Sequence, residues 1–76
     1  MLTAVYNYPE NGYRPADELE VGKEYLVTDV LMGQSNTSIL LDGFKGGFNS
    51  VQFDFYEDGK PCNIYRSPKY NPYIRK

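Results

Sequence analysis

Apolar and polar residues alternate along this chain in short runs. Glycine or proline interrupts them at positions 9, 12, 15, 22, 33, 43, 46, 47, 59, 61, 68 and 72. No stretch carries the three-to-four-residue apolar period of an amphipathic helix, so the pattern predicts strands. The first is Leu2 to Tyr8, where Leu2, Ala4 and Tyr6 alternate with Thr3, Val5 and Asn7. A turn-rich acidic stretch from Pro9 to Gly22 follows, with room for one helical turn after Pro15. The second strand is Glu24 to Met32. Tyr25 and Val27 share one face, while Val30 and Met32 fall on the other unless the register slips near Asp29, which predicts a bulge. The third strand is Thr37 to Leu41, closed by the turn residues Asp42-Gly43 as in a hairpin. In the fourth, Val51, Phe53 and Phe55 form an inward row alternating with a wetter face of Gln52, Asp54 and Tyr56. A turn at Glu57-Asp58-Gly59-Lys60-Pro61 leads to a short closing strand, Cys62 to Tyr65.

Five short strands without a long helix leave one apolar face uncovered unless the sheet wraps on itself. The expected fold is therefore all-β, a small five-stranded SH3-like barrel over residues 1–65. An extended basic, tyrosine-rich tail over residues 66–76 follows it. An OB-fold is the nearest competitor, but it normally needs more residues and a helix. The 76 residues allow one domain, which buries only roughly 60% of its unfolded surface. Eight tyrosines and four phenylalanines, with no tryptophan, supply large buried area at low rotamer cost, and most are expected to pack.

The composition removes much of catalysis. With no histidine and the single Cys62 there is no His general base, no Cys/His zinc site and no internal disulfide. Lys45-Gly46-Gly47 lacks P-loop spacing and reads as a flexible loop or bulge. Asn49-Ser50 reads as a turn whose side chains bond local backbone. The acids Asp17, Glu18 and Glu20, or Asp54, Glu57 and Asp58, do not follow a calcium-loop register. Neither an enzyme nor a cofactor is expected. No window holds the apolar run of a membrane span, and Met1 to Tyr8 lacks the pattern of a secretory signal. The expectation is a soluble protein of a reducing compartment, the cytoplasm.

Leu19-Glu20-Val21-Gly22-Lys23-Glu24-Tyr25-Leu26-Val27 resembles the first core strand and its approach in small SH3-like proteins of bacteriophages and bacterial mobile elements. Phe48-Asn49-Ser50-Val51-Gln52-Phe53 is similar to a second block of some of them. The resemblance implies a phage or prophage origin and a small binding scaffold. In it Leu19 and Val21 anchor, Gly22 makes the tight turn, and Tyr25 and Val27 begin the core strand.

Charge divides unevenly. Residues 1–65 hold all ten acids and four of the eight bases, whereas residues 66–76 hold four bases and no acid. In that tail, rings and cations interleave through Tyr65, Arg66, Lys69, Tyr70, Tyr73 and Arg75. The same combination stacks exposed bases, anchors a protein interface or folds back over a small core. The acidic body repels a polyanion, so a protein partner is expected, with single-stranded nucleic acid bound by the tail as the alternative. Acids from distant segments, Asp17, Glu18, Glu20 and Glu24 beside the second strand and Asp54, Glu57 and Asp58 beside the fourth, are expected to share walls of the domain. Glu57 and Asp58 join the tail residues as the expected partner-binding set. The role this suggests is a phage accessory protein, monomeric or homodimeric, that blocks a host nuclease or defence complex.

Overall fold

The structure, a computed structural model, describes residues 1–12, 15–33 and 36–74. Its strands are β1 (Leu2–Tyr6), β2 (Glu24–Met32), β3 (Thr37–Leu41), β4 (Gly47–Asn49), β5 (Phe53–Glu57) and β6 (Lys60–Pro61). Short 3-10 turns lie at Ser50–Gln52 and Pro72–Ile74. All six strands join one antiparallel sheet in the order β4-β3-β2-β1-β5-β6. The sheet is open, since β4 and β6 stand at its two ends without a ladder between them among the described residues. The expected all-β class is present, with six strands among the described residues where five were expected.

An open sheet with almost no helix has to cover its apolar face with itself, and β2 makes that possible. Its Glu24, Tyr25 and Leu26 pair with Val5, Ala4 and Thr3 of β1, whereas from Val27 onward it pairs with β3. Between these halves the register shifts at Val27/Asp29. Thr28 is the extra residue, and its hydroxyl donates to the Leu40 carbonyl at 3.2 Å. The bulge bends the strand, so both halves of the sheet face one core. Leu2, Ala4, Tyr6, Phe53 and Phe55 come from one half, and Ile39, Leu41 and Phe48 from the other. The predicted slip near Asp29 is present, and with it Val30 and Met32 pack against that core.

Two buried tyrosines fix the long connection between β1 and β2. The Tyr6 hydroxyl accepts the Ala16 amide and the Tyr25 hydroxyl accepts the Glu20 amide, each at 2.8 Å. These rings fill the core while their polar ends satisfy backbone that would otherwise be orphaned. Leu19 is buried and Gly22 takes a φ of +87°, as the resemblance implies. Val21 is not an anchor: it is 65% exposed.

Three further expectations give way. Gly47 belongs to β4, not to a loop, because the three-residue strand pairs Ile39↔Phe48 and buries the Phe48 ring. Two preceding glycines and its brevity hide it from any periodicity. Val51 lies in the 3-10 turn and is 46% exposed, while Gln52 is 3% exposed, the reverse of the expected alternation. The Gln52 amide donates to the carbonyls of Pro9 (3.2 Å) and Asn11 (2.9 Å), which compensates its burial. Finally, residues 62–65 form no strand; the closing pair is β6. The proline ring at position 61 removes a ladder donor, and the Asn63 side chain accepts the Tyr65 amide at 3.0 Å, curling the chain. Ile64 nevertheless reaches the core with no exposure. Asn49 does act as expected, its side chain accepting the Val51 amide at 3.3 Å.

The register of this segment makes a contrast that urea unfolding can measure. Phe53→Ala empties a buried ring site and should cost about 3–5 kcal/mol, whereas Val51→Ala should stay within about 0.5 kcal/mol. Comparable losses at the two positions would reject the 3-10 turn.

Candidate functional site

The residues that the sequence singles out separate into groups. Glu57, Asp58, Lys69 and Tyr70 meet at one end of the sheet. The Met1 amine lies 2.8 Å from Glu57 Oε2 and 2.5 Å from Asp58 Oδ1. The other Glu57 oxygen accepts the Tyr70 hydroxyl and sits 3.4 Å from Lys69 Nζ. Lys69 also stands over the Tyr70 ring, 5.4 Å from its centroid. Tyr70 packs against the core cluster. Hydrogen bonds from the Met1 amine and from Tyr70 hold the Glu57 carboxyl well below its usual range, at about 2. Burial and the Glu57 hydrogen bond push the Tyr70 hydroxyl up.

Tyr65 stands apart from this cluster, its hydroxyl 2.6 Å from that of the buried Ser50 and its carbonyl accepting the Asn71 amide group at 2.6 Å. Arg66 and Tyr73 are exposed. Arg75 lies outside the described residues. The segment from Tyr65 to Asn71 thus turns back onto the domain, and Lys69 and Tyr70 spend their charge and ring on internal contacts. Burial pushes the Cys62 thiol up. Among the described residues no group of three His, Cys, Asp or Glu side chains could hold a metal ion, and no helix is long and apolar enough to cross a membrane.

A second arrangement lies on the outer face of β2, β1 and β5. There the cross-strand neighbours of Val5 are Glu24 on one side and Asp54 on the other, and those of Thr3 are Leu26 and Tyr56. Two strand spacings put the carboxylate-bearing positions about 10 Å apart. Asp54 accepts the Asn7 amide group at 2.7 Å and the Tyr8 hydroxyl at 3.0 Å, and Glu24 accepts the Thr3 hydroxyl at 2.5 Å. Uncharged donors orient both acids, and no described cation lies within ion-pair distance of either. Val5 between them, and Leu26 and Tyr56 on either side of Thr3 in the adjoining row, are half-buried. The sequence suggests shared acidic walls but not this pairing, which only the register of β1 against both neighbours creates.

The Glu57 cluster has a signed pH dependence. Because its carboxyl is depressed from near 4.5 to about 2, the stability it contributes is complete above 4.5 and lost as pH falls through about 2. Thermal melts at stepped pH should therefore show a smaller loss of Tm over that interval for Glu57→Gln than for the parent. Equal losses would refute the assignment.

Comparison with known proteins bears on origin. Searches among curated proteins and among solved structures gave no match. The family model described as bacteriophage T4 protein Y07B matches residues 1–76, the full length of the sequence. A match of that extent makes this small all-β chain a member of the bacteriophage T4 protein Y07B family.

Proposed function

We propose that the protein is a non-enzymatic protein-binding module, a phage accessory protein that blocks a host nuclease or defence complex by occupying a basic surface. The observation that carries this reading is the outer face of the sheet, where Glu24 and Asp54 flank Val5 without a cation partner among the described residues. Two carboxylates held on the sheet, with Val5 between them and Leu26 and Tyr56 in the adjoining row, suit a partner whose own site is basic. Complementary charge speeds encounter and rejects wrong partners, while these half-buried side chains supply desolvated contact. The bent β2, shared between both halves of the sheet, supports the SH3-like reading of the scaffold. Family membership supports the phage setting.

The tail-centred alternative, single-stranded nucleic acid, draws less support. Lys69, though exposed, is paired with Glu57 and Tyr70 is packed on the core, which leaves Arg66 as the cation without an ion pair among the described tail residues, with Tyr65 and Tyr73 as exposed rings.

Affinity capture from a bacterial lysate, with and without nuclease, tests the proposal. The parent should retain a nuclease-resistant protein partner. The double variant Glu24→Gln, Asp54→Asn should lose it at least about tenfold with little loss of Tm, because each replacement keeps a side-chain carbonyl to accept the Thr3, Asn7 or Tyr8 bond. Undiminished capture by that variant would remove the outer face from the interface. Micromolar binding of single-stranded oligonucleotides at low salt, abolished by Arg66→Ala with Tyr73→Ala, would establish the nucleic-acid reading in its place.

A further inference from the structure

Strand β2 has a free edge. Glu24, Tyr25 and Leu26 are flanked by β1, but from Val27 to Met32 the strand is paired only with β3 among the described residues. Elsewhere the sheet protects its ends by other means: β6 is two residues long and finishes in Pro61, and β4 has only three residues. Along β2 the Val30 amide donates to Oδ1 of Asp29 at 2.9 Å, a bond from a neighbouring side chain rather than from a strand. Leu31 is 49% exposed.

Beside the start of this edge is a cavity of about 330 Å³, with Leu2, Val27, Val30 and Tyr70 forming an apolar wall, the ion-paired Met1, Glu57 and Lys69 a charged one, and the exposed Asp29 at the strand. Lys69 is paired with Glu57, and no described cation lies within ion-pair distance of Asp29. An unpaired strand edge, a hollow with one apolar wall and an unmatched carboxylate therefore stand side by side.

We propose that the free edge of β2 receives an extended segment of a partner protein as an added strand. One apolar side chain of that segment lies against the apolar wall of the cavity, and a lysine or arginine pairs with Asp29. Main-chain hydrogen bonds supply the affinity and the two side chains the selectivity, as in other strand additions. A second copy of this chain is a poorer occupant. Isologous pairing of two β2 edges sets each Asp29 near its symmetry mate, and the acidic bodies repel. This surface is separate from the Glu24–Asp54 face, so its success or failure is independent of that reading.

The test is an NMR titration of the intact ¹⁵N-labelled protein with a synthetic eight-residue peptide alternating lysine and valine, with leucine at its centre. Two controls are its glutamate-for-lysine counterpart and a copy N-methylated on alternate residues. The lysine peptide should shift the amides of Asp29, Val30, Leu31 and Met32 together with Tyr70. The glutamate peptide should bind at least about tenfold more weakly, as should the lysine peptide to Asp29→Asn, and the methylated copy should not bind. The proposal is overturned if the lysine peptide gives no saturable shift by millimolar concentration, if its shifts map elsewhere, or if methylation has no effect. Tighter binding by Asp29→Asn would also overturn it, since Asp29 would then be only a guard of the edge. Sedimentation of the free protein provides the last check: a concentration-dependent dimer joined through β2 would give the edge to a second copy instead.

Discussion

A sheet of six short strands with almost no helix to cover it is the constraint from which the rest of this protein follows. The apolar face has no other element to lie against, so the sheet must supply both walls of its own core. The bulge at Thr28 resolves this. It lets one nine-residue strand serve two sub-sheets, and the pieces missing from a simple meander, the β1–β5 ladder and the Ile64 plug, close around the result. Tyrosine suits such a core because Tyr6 and Tyr25 fill space as rings and terminate in hydroxyls that hold the long connection. In a domain this small, that double service replaces a second layer of secondary structure.

The same bend organises the surface. Because β1 lies between β2 and β5, outward residues from three distant segments fall into one row, Glu24, Val5 and Asp54. Because β2 leaves β1 at the bulge, its far half keeps an open edge beside the cavity. Charge at the other end of β1 is used differently: the acids Glu57 and Asp58 meet the Met1 amine, Lys69 and Tyr70, which turns part of the basic tail into a closure of the core. The acidic excess of the body is thus divided between carboxylates with internal partners and carboxylates presented outward.

Local pattern determined a good part of this. The alternation of Leu2, Ala4 and Tyr6, the inward Phe53 and Phe55, the slip near Asp29, the tight turn at Gly22 and the absence of long helix are all legible because side-chain period and glycine placement are properties of adjacent residues. Elements defined by distant partners were not legible. β4 exists because Phe48 finds Ile39, Gln52 is buried because the carbonyls of Pro9 and Asn11 await it, and Val51 faces solvent because a 3-10 turn rotates it outward. The pairing of Glu24 with Asp54 across Val5 and the docking of Tyr70 on Glu57 likewise depend on strand order and chain return. A sequence records which residues alternate, but not which strand lies beside which. Tertiary structure decided those contacts because they join residues outside any local period, from Tyr70 and Glu57, 13 positions apart, to Gln52 and Pro9, 43 apart, where hydrogen-bond satisfaction and the filling of a single core outweigh local propensity.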